Sequence, residues 1–247
     1  MRSAERLKKI ARLVDCGDSV ADIGADHGYL AVELAYERKC PKVVITDISA
    51  SSLDKARNNL ADIKGPTEFD LRLGDGLSVL SMNEVDTIVI AGMGGLLISE
   101  IMGRNPELTA SFSNFILQPR NNLGWLVYFL TQNGFTIEDE ILAREAGAIC
   151  EILLVNTPYS AIQATDVLSY NDFINDNRLC AKNSFPKAIS KHKDRLTLEY
   201  LEKEKLKMQK IEAEMKKSRF YDGKYLKTEP YIAKINQLLR WVKNEEA

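Results

Sequence analysis

The chain has 247 residues, a formal net charge of −2 and 28% charged residues, a composition typical of folded rather than disordered proteins. No run approaches the roughly 20 apolar residues of a membrane-spanning helix, and residues 1–9 lack the apolar stretch of a signal peptide. The four cysteines form no Cys-x-x-Cys pair, which argues against a zinc knuckle or a disulfide framework. We therefore expect a cytoplasmic protein with no metal site and no membrane association.

Charge is unevenly distributed along the chain. Residues 1–157 carry 15 Lys and Arg against 22 Asp and Glu, whereas residues 158–247 carry 18 against 13. The change predicts a boundary near Asn156-Thr157-Pro158, with one domain over 1–157 and a second over 158–247. A basic second domain suits an anionic partner such as RNA, although a solvated helical face produces the same pattern.

The first domain begins with an amphipathic helix and continues with alternating strands and helices. Residues 3–14 place Leu7, Ile10, Ala11 and Val14 on one face of a helix. The predicted strands are 20–23, 43–47, 69–73, 86–91, 114–118, 135–137 and 151–155. The alternation predicts an α/β fold with a mostly parallel, doubly wound sheet. Polar residues separate the last two runs, which we expect to pair antiparallel at an edge.

The second domain is predicted to be helical. In residues 190–217, Leu201, Met208 and Met215 repeat every seven residues, and a second apolar stripe runs over 231–242. A break at 218–230 separates the two stripes. An antiparallel helical hairpin resembling a short coiled coil would bury both stripes, against each other or against a partner.

The segment Ala21–Ala31 carries the strongest functional signal, because it turns from the first strand into a helix. Gly24 permits a tight turn, and Gly28 is expected to let the backbone approach a ligand. Asp26 stands where the Gly-x-Gly-x-x-Gly fingerprint has its second glycine, which disfavours a pyrophosphate and hence a nicotinamide oxidoreductase. The two acidic residues Asp22 and Asp26 favour a ligand that is cationic or carries an amino group.

Four later strands also end in glycine or polar residues. Asp47 is placed to accept the hydroxyl groups of a ribose, although an Asp capping the next helix is the alternative. Asp75, between two glycines, is placed to accept the amine of an adenine, unless Asp75-Gly76 is an ordinary turn. The glycines of 91–95 leave room for a flat ring, and residues 118–122 offer amides and a cation for a base or phosphate. These strand ends predict a cleft consistent with a class I S-adenosylmethionine-binding fold.

The strings DIGADHGYLA (22–31), GDGL (74–77), IAGMGG (90–95) and LQPRNN (117–122) closely resemble the bacterial tRNA (adenine-22-N1)-methyltransferases. The resemblance covers about residues 4–157, and beyond them it is only architectural. Small departures are Ala25, Gly28, Ala31 and the stretch Asp47-Ile48-Ser49, where the family has an acidic residue followed by Gly-Pro. The resemblance implies a Rossmann-like methyltransferase domain with a helical, coiled-coil-like tRNA-binding domain. It also implies transfer of a methyl group from S-adenosylmethionine to N1 of adenine 22 in the D-loop.

Three sets of site residues are predicted from these motifs. The cofactor-binding set is Asp22, Gly24, Asp26, His27, Asp47, Ile48, Asp75, Gly76, Ala91, Gly92 and Met93. The catalytic set is Asp26, His27 and Tyr29. The substrate set is Arg6, Lys9, Gly94, Gln118, Arg120 and Asn121, with the first helix forming either a basic rim beside the cleft or only a solubilising surface.

The catalytic hypothesis concerns the proton that a methylated adenine loses from its exocyclic amine. Asp26 or His27 would orient this amine or receive the proton, since histidine titrates near neutral pH, and Tyr29 or Met93 would stack on the base. The alternatives are a methyltransferase for another RNA adenine or a small molecule, and a non-catalytic RNA-binding protein. We expect a monomer, with a dimer left open.

Overall fold

The computed structural model describes residues 4–158, 168–175, 189, 191–216 and 228–243. The strands are β1 (Val20–Ile23), β2 (Lys42–Asp47), β3 (Glu68–Leu73), β4 (Thr87–Met93), β5 (Asn114–Pro119), β6 (Thr136–Glu145) and β7 (Ala148–Asn156). The α-helices are α1 (Glu5–Leu13), α2 (Tyr29–Glu33), α3 (Ala50–Leu60), α4 (Gly95–Gly103), α5 (Pro106–Ala110), α6 (Leu123–Gln132), α7 (Tyr170–Asn175), α8 (Arg195–Lys216) and α9 (Thr228–Lys243). A π-helical turn, Leu34–Arg38, continues α2, and a 3₁₀ turn spans Gly76–Val79.

All seven predicted strands lie in one sheet of order β3-β2-β1-β4-β5-β7-β6. The first five strands pair in parallel, whereas β7 is antiparallel to both β5 and β6. The predicted Rossmann-like α/β sheet is therefore confirmed. Strand order reverses between β1 and β4, and in such sheets ligands bind at the carboxyl ends of the strands at this point.

The last two strands pair antiparallel at one edge of the sheet, as predicted, and they are longer than predicted. Residues 138–150, expected as a polar loop, instead form most of a β6–β7 hairpin, and β7 lies inside the sheet with only β6 at the edge. Two successive side chains of β6, Leu142 and Ala143, are buried in two different apolar clusters. Ala146 and Gly147 connect the strands with positive φ angles of 48° and 82°, as a two-residue hairpin turn requires.

Helix α1 packs against the sheet through the face that its sequence predicts. Ile10, Ala11 and Val14 are fully buried with the side chains of α2, β2 and β6, and Leu7 is partly buried. Each fully buried aliphatic side chain of this size contributes about 1.5–3 kcal/mol. This packing holds the amino-terminal helix beside the carboxyl ends of the central strands.

Helices α8 and α9 pack against each other and against β6. Their apolar stripes share one buried cluster with the strand, made of Leu142, Ile189, Tyr200, Leu201, Ile235, Leu238 and Leu239. Lys243 at the end of α9 forms an ion pair with Glu202 in the first half of α8, as antiparallel helices require. The side chain of Met215 and the segment 218–227 lie outside the described residues, so the coiled-coil-like geometry stays a prediction.

Contacts with the sheet extend beyond this apolar cluster. The hydroxyl of Tyr200 donates to Glu151 (2.8 Å), and Arg144 forms an ion pair with Glu199.

The short helix α7 packs on α6 through Phe173, which lies in an aromatic cluster with Trp125 and Tyr128. Within the described parts of the chain, no helix is both long and apolar enough to cross a membrane.

Candidate functional site

A cleft of about 190 Å³ opens at the carboxyl ends of β1 and β4, where strand order reverses. This is the sheet edge predicted from the glycine and acidic residues. The lining comes from α1, the end of β1 and the loop after it, the start of α2, the end of β4 and the loop after β5: Arg6, Leu7, Asp22, Gly24, Ala25, Asp26, His27, Tyr29, Leu30, Ala91, Gly92 and Arg120.

The loop after β1 turns sharply and is tied to β2. The amides of Gly24 and Ala25 donate to the carbonyl oxygen of Thr46 (2.8 and 3.0 Å), and Gly24 has a φ angle of 71°. The prediction of a tight turn at Gly24 is confirmed. The expectation for Gly28 is wrong, because a Cβ there would lie 3.0 Å from the Cβ of Ala56. Gly28 lets α2 approach α3, rather than letting the backbone approach a ligand.

Asp47 joins the loops that follow β1 and β2. Its carboxylate accepts from the amides of Asp26 (3.1 Å) and Ser49 (2.8 Å). The hydroxyl oxygen of Ser49, rather than Asp47, caps α3 by accepting from the amide of Ser52 (3.3 Å). A carboxylate offers about four acceptor positions, so Asp47 retains capacity for hydroxyl donors. The ribose role of Asp47 stays a prediction.

Asp22 is a buried carboxyl group that lines the cleft and is only 4% exposed. Burial raises its pKa to about 7; the positive charge of Arg6 lowers the pKa, and the negative charge of Asp47 raises it. A buried acid with a strongly raised pKa in a cleft is a candidate functional group. The group is poised to become fully charged when a cation approaches.

Arg6 connects α1 to the end of β5 and, through Gln118, to the end of β4. Its Nη1 donates to the side-chain oxygen of Gln118 (3.1 Å), and the same oxygen accepts from the amide of Gly92 (3.1 Å). Arg6 also forms an ion pair with Glu145, 2.8 Å from Nε to Oε1. Gln118 is only 3% exposed. The structure therefore places Arg6 and Gln118 among internal contacts that position the cleft wall.

Lys9 and the loop after β5 make further contacts around the cleft. The Nζ of Lys9 donates to the carbonyl oxygen of Leu142 (2.7 Å), which ties α1 to β6. Arg120 lines the cleft, and its amide donates to the carbonyl oxygen of Met93 (2.8 Å). The side chain of Asn121 packs against Gly94. Substrate contact by these residues stays a prediction.

Asp26, His27 and Tyr29 lie together on the rim of the cleft. The Nδ1 atom of His27 lies 3.1 Å from Oδ2 of Asp26, and the rings of His27 and Tyr29 are 5.6 Å apart. Asn59 from α3 donates to the carbonyl oxygen of His27 (2.9 Å), which fixes the backbone at this point. An imidazole whose Nδ1 faces a carboxylate retains Nε2 for exchanging a proton.

Two of the predicted cofactor-binding residues, Asp75 and Met93, contact residues that the sequence did not predict as their neighbours. Asp75 forms an ion pair with Arg104, the residue after α4. The methyl group of Met93 fills the space where a Cβ on Gly24 would lie. The side chain of Ile48 is 75% exposed. Within the described ranges, no group of His, Cys, Asp or Glu side chains is arranged to hold a metal ion.

Comparison with known proteins identifies the family. A family model described as a methyltransferase domain matches residues 3–153. The tRNA (adenine(22)-N(1))-methyltransferase of Bacillus subtilis is 29% identical over 154 residues, 62% of this chain and 65% of that protein. A Mycoplasma pneumoniae protein described as a candidate tRNA methyltransferase is 37% identical over 155 residues, 61% of this chain and 70% of that protein. The match thus spans less than two thirds of the Bacillus protein.

Solved structures resemble the whole chain. A candidate tRNA (m1A22) methyltransferase of Streptococcus pneumoniae, solved with S-adenosyl-L-methionine, is 25% identical with a TM-score of 0.74, covering 96% of this chain and 100% of that one. The B. subtilis m1A22 tRNA methyltransferase has the same fold, with a TM-score of 0.71 at 23% identity over 99% and 98% of the two chains. The chain therefore belongs to the methyltransferase-domain family.

Proposed function

We propose that this chain is an S-adenosylmethionine-dependent enzyme that methylates N1 of adenine 22 in the D-loop of tRNA. The observation that carries the proposal is the buried carboxyl group of Asp22 in the cleft at the switch point, in a chain that matches a methyltransferase family. Asp47, at the end of the neighbouring strand β2, accepts from the amide of Asp26 in the cleft loop. The relatives support the same substrate, since the Bacillus protein is a tRNA (adenine(22)-N(1))-methyltransferase.

The residues around the cleft fit S-adenosylmethionine. Asp22 is a buried acid whose pKa stays raised despite the positive charge of Arg6, which suits the ammonium or sulfonium group of the ligand. Asp47 has spare acceptor positions for the ribose hydroxyls, and the exposed Ile48 would be covered by the adenine ring. Asp75 would accept from the adenine amine, with Gly76, Ala91 and Gly92 leaving room for the ring. When bound, the cofactor supplies the methyl group that the lone pair of N1 takes up.

The contribution of the chain is to hold the target base in place. N1 lies on the Watson–Crick edge, so the adenine must be unpaired and turned into the cleft. Alignment of two reactants can supply up to about 7–11 kcal/mol of the barrier in ideal cases. The ring of Tyr29, on the cleft rim and 37% exposed, is placed to stack on the base.

His27 and Asp26 complete the reaction by removing a proton. The N1-methylated adenine is a cation, and it becomes neutral when its exocyclic amine loses one proton. Nε2 of His27 takes this proton while Nδ1 faces the carboxylate of Asp26, which orients the ring. The proton then passes from His27 to solvent, because the imidazole is partly exposed.

The two parts of the chain divide the task. Residues 1–157 hold the cofactor, and residues 158–247 bind the tRNA backbone through exposed lysines of α8 such as Lys203, Lys207 and Lys210. Because α8 and α9 bury their stripes against each other and β6, the described helices need no second copy. We therefore propose a monomeric enzyme that acts on cytoplasmic tRNA.

The test is methyl transfer from labelled S-adenosylmethionine to a tRNA transcript, followed by mapping of the modified base. We expect one methyl group at N1 of adenine 22, and none in a transcript with guanine at that position. Asp47→Asn serves as the matched protein control and should lower the cofactor affinity. Methylation at another adenine would assign a different RNA target, and no transfer to any tRNA would refute the proposal.

A further inference from the structure

A second groove, of about 660 Å³, lies beside the candidate active site between α1, α2 and α3. It lies within the range of about 300–1,000 Å³ that is typical of ligand sites. The groove and the cleft share Arg6, Leu7 and Tyr29 in their linings, so the two are adjacent. Its floor is apolar, with Val32 from α2 and Ile63 from the segment after α3.

Tyr36 is the most exposed aromatic residue of this groove, at 61%. It lies seven residues after Tyr29 in the π-helical turn Leu34–Arg38 that continues α2. Such turns are rare, and they occur frequently at functional sites. Two tyrosine rings thus line one groove, one at the shared wall and one farther along.

The polar groups of the groove match the edge of a nucleobase rather than a phosphate. Asn59 donates its amide N–H to the carbonyl oxygen of His27, which leaves its side-chain oxygen as an acceptor. Glu33 also lines the groove, and its carboxylate repels a phosphate but accepts from the amino groups of bases. Arg6, the one cation in this lining, is held in an ion pair with Glu145. Flat apolar faces with hydrogen-bonding edges are the features by which proteins bind unpaired bases.

We propose that this groove binds a second unpaired base of the tRNA, adjacent in sequence to the methylated adenine and stacked on Tyr36. The inference rests on the proposed function, because the target adenine must occupy the adjoining cleft. A base next to one turned out of its stack loses a stacking partner, and the ring of Tyr36 replaces that partner. The groove thereby contributes to the choice of tRNA site without touching the cofactor.

Substitutions at Tyr36 distinguish stacking by an aromatic ring from simple filling of the groove by a large side chain. Stacking of a base on an aromatic side chain contributes to binding, so its loss in Tyr36→Ala should raise the KM for tRNA about tenfold. Tyr36→Phe keeps the ring and should stay within about twofold of the wild type, whereas Tyr36→Leu keeps bulk alone and should resemble Tyr36→Ala. All three variants should bind S-adenosylmethionine as the wild type does, by calorimetry, which also shows that they fold.

A fluorescent base reports the contact directly. Two tRNA transcripts carry 2-aminopurine, one on the 5′ side of adenine 22 and one on the 3′ side. We expect the wild-type protein to quench one of them beyond the free transcript, because 2-aminopurine loses fluorescence when stacked. Tyr36→Phe should preserve this quenching, and Tyr36→Ala should abolish it.

The outcomes distinguish the inference from the function on which it rests. If the wild type methylates adenine 22 while Tyr36→Ala keeps its KM for tRNA, the groove does not hold a base and the inference is refuted alone. If sedimentation shows that Tyr36→Ala dissociates an oligomer without changing tRNA binding, the groove is a contact between copies, which also refutes it. Absence of tRNA methylation by the wild type refutes the proposed function instead.

Discussion

Replacing Asp22 by Asn should stabilise the protein without ligand above neutral pH while weakening its binding of the cofactor. Asp22 is buried, and burial raises its pKa from 3.8 to about 7 in the folded protein. Between these two values the folded chain holds a proton that the unfolded chain has released. The contribution of Asp22 to the free energy of unfolding is therefore highest below pH 4, falls as pH rises towards 7, and then levels off.

The size of the effect follows from the two pKa values. At about 1.36 kcal/mol per pH unit, a rise from 3.8 to about 7 corresponds to about 4 kcal/mol in total. Roughly 2–3 kcal/mol of this falls between pH 5 and pH 8. Asn has a similar shape and no charge to desolvate, so the stability of Asp22→Asn relative to the wild type should grow by that amount over this range.

Urea unfolding of the ligand-free wild type and Asp22→Asn at pH 5 and pH 8 measures the difference. Calorimetry with S-adenosylmethionine tests the predicted loss of cofactor binding. The affinity of the wild type should rise with pH through about 7, because Asp22 becomes charged. Asp22→Asn should bind the cofactor weakly at both pH values. A stability difference that is the same at pH 5 and pH 8 would refute the description of Asp22 as a buried acid of raised pKa.

Three further predictions concern packing, cofactor affinity and tRNA binding. A Cβ on Gly95 would lie 2.6 Å from a backbone carbonyl oxygen after β5. Gly95→Ala should therefore lower the free energy of unfolding, measured with urea, by about 1–3 kcal/mol. The control Gly103→Ala, whose Cβ would meet only ordinary contacts, should leave that free energy unchanged. Arg104→Ala frees Asp75 from its ion pair and should tighten S-adenosylmethionine binding by up to about fivefold in calorimetry, since exposed pairs are worth at most about 1 kcal/mol; weaker binding would show that Asp75 needs Arg104. Lys210→Ala should weaken tRNA binding and lower the salt dependence of log Kd by about 1, and an unchanged slope would remove this lysine from the interface.

Local patterns were sufficient to predict the parallel part of the sheet and the position of the cleft. The buried parallel strand β4 is a continuous apolar run that ends in a glycine-rich segment, and a run of this kind is recognisable in the sequence. The family resemblance then indicated S-adenosylmethionine and tRNA. The residues of the loop after β1 lie together because they are adjacent in the chain.

Features that depend on distant contacts were not predictable in this way. The β6–β7 turn uses Ala146-Gly147, which lacks the Asn-Gly or Asp-Gly signal of this turn type. Arg6 looked like a surface cation because its partner Glu145 is far away in the chain. Gly28 resembled a ligand-binding glycine, but its neighbour is a helix that the sequence could not place.

The most direct test of the function is calorimetric titration of the purified wild-type protein with S-adenosylmethionine, repeated for Asp47→Asn. We predict saturable binding of one cofactor per chain, weakened at least about tenfold by loss of a charged hydrogen-bond acceptor in Asp47→Asn. A wild-type protein that releases or absorbs no heat and gives no other sign of binding would show that the cleft between β1 and β4 does not hold the methyl donor.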